Sequence, residues 1–110
     1  MATAYKILGQ VHPAGTSNTD LYTVGSGKSA VVSSLTISNV TASASSARVW
    51  VRAGGSAAAH VYALIYDAAI AANSVNTFTL GITLSATDVL TVRSGTGADL
   101  TFMAFGSEIS

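Results

Sequence analysis

Two histidines, His12 and His60, and five carboxylates, Asp20, Asp67, Asp88, Asp99 and Glu108, are the groups of this sequence that could move protons or hold a metal. Either task needs two or three of them to converge. None stand at ligand spacing; Asp67 comes seven residues after His60, which does not put them side by side on one strand. The chain has no cysteine, which excludes thiol nucleophiles, thiolate ligands and disulfides. Neither Gly25-Ser26-Gly27 nor Gly54-Gly55-Ser56 fits the Gly-x-Ser-x-Gly pattern that exposes a nucleophilic serine on a sharp turn. Gly25-Ser26-Gly27-Lys28-Ser29 ends like a phosphate-binding loop, yet Tyr22 stands where the first glycine belongs. The next residues, Ala30 to Ser38, are strand material rather than a helix whose N-terminus could face a phosphate. Asn39-Val40-Thr41 is a formal glycosylation sequon without a secretory signal before it. No catalytic residue, no cofactor and no metal is therefore expected, and the sequence does not read as an enzyme.

A second group of residues suits recognition. Arg48, Trp50 and Arg52 alternate and so share one face of a strand, with Tyr62 and Tyr66 further on. Trp, Tyr and Arg anchor interfaces, and stacked aromatic rings also bind sugars. A third reading has Trp50 half-covering the outside of a sheet, flanked by the aliphatic stems of the two arginines. With Tyr5, Lys6 and Ile7 near the N-terminus, these residues form the candidate assembly interface.

The elements that must position them have a period of two. Ala47, Val49, Val51 and Ala53 alternate with the Arg48-Trp50-Arg52 row, and Phe78, Leu80, Ile82 and Leu84 alternate with Thr77, Thr79, Gly81 and Thr83. Further strands are expected at Tyr5–Val11, Leu21–Val24, Ala30–Val40, Val89–Arg93 and Leu100–Phe105, rich in the β-branched residues that fit a pleated surface. Gly, Asn, Ser and Pro clusters such as 13–18, 25–27, 54–56 and 94–97 supply the turns. Ala57 to Ala72 is ambiguous: its alanines favour helix, but Val-Tyr-Ala-Leu-Ile-Tyr is equally good strand. The spacing predicts a strand over His60–Tyr66, then a loop with one helical turn. This gives an all-β domain, an antiparallel β-sandwich of about eight strands, jelly-roll-like or alternatively immunoglobulin-like. One domain over 1–110 is expected, with 1–19 as an extended arm and hinge loop.

Composition narrows the function classes. Charged residues are 9% of the chain, against about 25% in ordinary soluble domains. Ala, Ser, Thr and Gly supply 57 of the 110 residues, and hydrophobic residues 49%. Five Lys and Arg cancel five Asp and Glu, so the basic excess of a nucleic-acid binder is missing. The longest strictly apolar run, Val61 to Tyr66, is far short of a membrane span, and the first ten residues do not read as a signal peptide. A neutral, apolar, charge-poor domain tends to associate, which points to life inside an assembly.

The ordered set Tyr5-Lys6-Ile7-Leu8-Gly9-Gln10, Asp20-Leu21-Tyr22-Thr23-Val24, Ala30 to Leu35, Tyr66-Asp67-Ala68-Ala69-Ile70, Leu80 to Leu84 and Phe105-Gly106-Ser107-Glu108-Ile109 resembles a group of small structural proteins of tailed bacteriophages. The resemblance spans nearly the whole chain. It implies a capsid cement or decoration protein, made in the host cytoplasm and seated on the capsid exterior as a homotrimer. The implied partners are further copies of itself and the major capsid protein or another virion protein, with no nucleic acid and no membrane. A tail, neck or fibre accessory module, or one binding carbohydrate or a receptor, is the alternative. The resemblance carries no catalytic or ligand residue over to this sequence. Bridging through the segment Ala2–Val11, as an arm or added edge strand, is the expected mechanism.

Overall fold

The computed structural model describes residues 3–110. Among the described residues, eight strands succeed one another. They are β1 (Thr3–Val11), β2 (Thr19–Thr23), β3 (Ser29–Asn39) and β4 (Ser45–Arg52), then β5 (Ala63–Ile70), β6 (Val75–Leu84), β7 (Val89–Ser94) and β8 (Leu100–Ile109). Two single 3₁₀ turns, Ala53–Gly55 and His60–Tyr62, lie between β4 and β5.

First pairs with last, second with seventh, third with sixth and fourth with fifth, all antiparallel. The chain is thus one long hairpin with its tip at β4–β5. Two further pairings, β3 with β8 and β4 with β7, roll it into two four-stranded sheets. Their strand orders are β1-β8-β3-β6 and β2-β7-β4-β5. This is the jelly roll, and it decides between the two sandwiches that strand count alone allowed. Between the sheets lie Leu35, Ile37, Val49, Leu84, Leu90, Val92, Leu100 and Phe102, each 0% exposed. They come from alternate positions of strands in both sheets, as the period of two requires.

The β1-β8-β3-β6 sheet is creased. Its register shifts at Leu8 of β1, beside Ala104 and Phe105 of β8, and at Ser33 of β3 and Leu80–Gly81 of β6, abreast of Phe105 and Gly106. Glycine lets backbones close up along this line. A Cβ on Gly106 would sit 2.0 Å from the Val31 carbonyl oxygen, and one on Gly9 would sit 2.1 Å from that of Leu21.

Two expectations are corrected. The helical turn precedes the fifth strand instead of coming after it: His60–Tyr62 is the turn and Ala63–Ile70 the strand. The anchor is Ile70, 0% exposed, whereas Val61 is 81% exposed. Burying Ile70 pulls the paired segment toward its C-terminal side. Asp67 makes this pairing workable, because its φ of 57° forms a bulge opposite Ala47 and Arg48. Residues 3–11, expected as an arm, run along β8 within the fold's own sheet; Met1 and Ala2 lie outside the described residues. β8 itself runs on to Ile109, beyond the Phe105 where its apolar alternation fades.

Phe102 is the largest fully buried side chain. Phe102→Ala is expected to lower the unfolding free energy by about 3–5 kcal/mol in urea titrations. A loss below about 1 kcal/mol would mean the two sheets do not close on this ring.

Candidate interaction surfaces

Strand β4 presents Arg48, Trp50 and Arg52 on the outer face of the β2-β7-β4-β5 sheet, opposite in parity to the buried Ala47 and Val49. Trp50 is nonetheless only 4% exposed. The 3₁₀ turn His60–Tyr62 packs against β4, and the Tyr66 ring meets Trp50 edge-on at 6.4 Å and 83°. This corrects the sugar platform, which needs Trp50, Tyr62 and Tyr66 exposed and coplanar. Trp50 lies under the loop that leads out of its own strand.

Both arginines are engaged within the chain. Arg52 donates to the carbonyls of Ser56 and Gly55 at 2.7 and 3.0 Å, and to Asp20 Oδ1 and Thr91 Oγ1, both at 3.0 Å. It clamps the first 3₁₀ turn onto the sheet. Arg48 makes a two-pronged contact with Asp67, Nε to Oδ1 at 2.6 Å and Nη2 to Oδ2 at 3.2 Å. Its guanidinium carbon also sits 4.1 Å from the centre of the Tyr66 ring. The hydrogen bonds from Arg48 hold the Asp67 carboxyl below its usual range, and that carboxylate raises Arg48 in turn. Tyr66 stays 45% exposed and Tyr62 half-buried.

The N-terminal trio splits by parity. Tyr5 and Ile7, 87% and 52% exposed, stand on the outer face of the β1-β8-β3-β6 sheet, with Ile7 opposite Phe105. Lys6 turns the other way and meets Glu108 Oε1 at 2.9 Å. Glu108 also accepts from the Tyr22 hydroxyl at 2.6 Å and lies 3.6 Å from Lys28 Nζ. One carboxylate thereby joins β1, β2, β8 and the turn before β3 across both sheets. The Tyr22 hydrogen bond and then the Lys6 hydrogen bond bring Glu108 down to about 2. Burial first, and the hydrogen bond to Glu108 second, push the Tyr22 phenol well above its ordinary value. Sequence reasoning missed this cluster, since Lys6 and Glu108 are 102 residues apart and only the first-to-last strand pairing brings them together.

The remaining candidates do not converge. His12 Nδ1 donates to the Leu100 carbonyl at 2.9 Å, and the His60 ring packs against Tyr66 at 5.1 Å. Asp88 accepts from the backbone amides of Gly54 and Ser85, at 2.8 and 2.9 Å, and so ties two turns together. The Gly25–Lys28 segment is a turn leading straight into β3. Among the described residues no three His, Asp or Glu gather into a metal-ligating group.

Charge is unevenly placed. Asp20, Arg48, Arg52, Asp67 and Arg93 belong to the outer side of the β2-β7-β4-β5 sheet. Lys6, Lys28 and Glu108 form the cluster at one end, and Asp88 and Asp99 lie in loops. Among the described residues, the outer face of the other sheet has no charged side chain.

No protein-family model matches the sequence, and no curated protein matches it. Solved structures do. A chain in the structure of infectious bursal disease virus, Gx strain, superposes with a TM-score of 0.51 at 13% identity, over 97% of this chain and 31% of that one. The two share a fold. A chain of the Gt strain of the same virus gives a TM-score of 0.47 at 10% identity, over 96% and 31%. The present chain spans about a third of the length of the viral chains it matches.

The Glu108 cluster sets a pH dependence. Its folded-state pKa, about 2, lies below the ordinary 4.5, so ionised Glu108 stabilises the fold above about pH 4.5. That contribution drains away as the pH falls toward about 2. Glu108→Gln is expected to be less stable than the parent in urea at pH 7, with the gap closing on acidification. A gap that persists unchanged at pH 2 would contradict the assignment.

Proposed function

We propose that this chain is a structural subunit of a virion, specifically a cement protein that decorates a tailed-phage capsid from outside. In this reading it is made in the host cytoplasm, assembles as a homotrimer and bridges subunits of the major capsid protein. Its work is mechanical, with no catalytic step, cofactor, nucleic acid or membrane.

The observation that carries the reading is the jelly-roll topology in so charge-poor a chain. Eight-stranded jelly rolls are a recurrent architecture of viral capsid domains. The likeness to a chain of the bursal disease virus structure extends over 97% of the sequence. A fold alone does not carry function; here the sequence resemblance to phage structural proteins points the same way. Charged and polar side chains that elsewhere build reactive sites are engaged in holding turns, as in Arg52 and Asp88. Of the candidate interface residues, Tyr5 and Ile7 offer apolar contact on one sheet, and Arg48, Tyr62 and Tyr66 offer aromatic and cationic contact on the other. The second set is the side assigned to capsid subunits; on that side Trp50 is buried and Arg52 holds the following turn, while Lys6 ties β1 to β8 through Glu108.

Virions purified from the host that carries this sequence are expected to contain the chain at a copy number comparable to that of the major capsid protein. Quantitative mass spectrometry of the particles checks this, and absence from them would sink the reading. Light scattering behind a sizing column is expected to give three times the 11.0 kDa chain mass.

A further inference from the structure

We infer that copies of this chain bury one another through the outer face of the β1-β8-β3-β6 sheet. The inference rests on the self-assembly proposed above and assigns the surface that carries it.

The other surfaces are poorly suited to the task. All four edge strands are irregular: β1 at Leu8, β2 at Leu21, β5 at Leu64 and Asp67, β6 at Leu80–Gly81. Bulges on edges oppose strand addition from another chain. The outer face of the β2-β7-β4-β5 sheet is covered over Trp50 and carries five charged residues. The remaining broad surface is the uncharged one.

Its chemistry fits a second copy of itself. Its middle is hydroxyl-rich, with Thr36 of β3 opposite Thr77 of β6. A hydroxyl both donates and accepts, so a hydroxyl face can satisfy its own copy, which a face of one charge sign cannot. The β1 side is apolar, with Tyr5 and Ile7 exposed beside Phe105. A charged partner would lose hydration here and gain no counter-ion. Size also suffices. Four strands about 4.8 Å apart, along a ten-residue β8 rising about 3.4 Å per residue, outline roughly 600 Å² before side-chain relief. Two such faces together bury about 1,200 Å², the low end of the range for a stable interface. In a three-fold ring the faces turn toward the axis, each covering part of both neighbours.

The test is light scattering on the purified full chain and three variants, with thermal melts to confirm folding. Thr77→Lys and Tyr5→Lys each place a charge on the uncharged face, at exposed positions. Ala69→Lys places the same charge on the exposed outer side of β5. The parent and Ala69→Lys are expected to run as trimers, while the folded Thr77→Lys and Tyr5→Lys associate at least tenfold more weakly. If Thr77→Lys and Tyr5→Lys assemble as tightly as the parent, the face is wrong while self-assembly stands. Dissociation of Ala69→Lys as well would overturn the assignment to one face. A monomeric parent would overturn both this inference and the self-assembly beneath it.

Discussion

Insertion of β8 between β1 and β3 is the constraint on which the rest of the structure hangs. Until the last ten residues arrive, β1 has no partner and β3 is paired on one side only. The core waits on the same event, because Leu100, Phe102 and Ala104 are the inward row of β8 and all are 0% exposed. Loop-closure entropy must therefore be met before much of the hydrophobic gain arrives. Folds of this kind, dominated by non-local pairing, form in milliseconds to seconds rather than microseconds. Glu108 lies in the same strand and fastens the end of it to β1, β2 and the turn before β3.

The two outer faces of the sandwich have opposite characters, and the pleat explains how one sequence encodes both. Along β6, inward Phe78, Ile82 and Leu84 interleave with outward Thr77, Thr79 and Thr83. Along β4, inward Ala47, Val49 and Val51 interleave with outward Arg48, Trp50 and Arg52. The charges are then drawn into local duties. Arg52 stitches the β4–β5 crossing to the sheet, and Arg48 holds the αL bulge at Asp67. The surface left for contact with other molecules is aromatic on one side and hydroxyl-rich on the other.

Much of this was legible in the residues. Strict alternation of small apolar and long amphipathic side chains located β4 and put Arg48, Trp50 and Arg52 on one face. Glycine and asparagine clusters marked the turns. The fifth strand was harder, because Ala57 to Ala72 satisfies two periods at once and the deciding fact, burial of Ile70 under the other sheet, is tertiary. The cover over Trp50 was equally hidden, since it comes from a 3₁₀ segment whose apolar residues carry no period of their own. The Lys6–Glu108 contact could not be read before strand order was known. The empty charge map of one face emerges once parity is fixed along four strands together, which no single segment reveals.

The pairing of Thr3 with Ile109 has one more consequence. Directly opposed residues in an antiparallel ladder sit about 5 Å apart at their Cα atoms. The two ends of the described chain therefore leave the domain side by side, from one corner of one sheet. A domain anchored that way can be spliced into a loop of a host protein like a bead on a stalk, or have its ends joined and be reopened at another turn. The 12–18 and 95–99 loops, outside any strand, are natural places for such a cut.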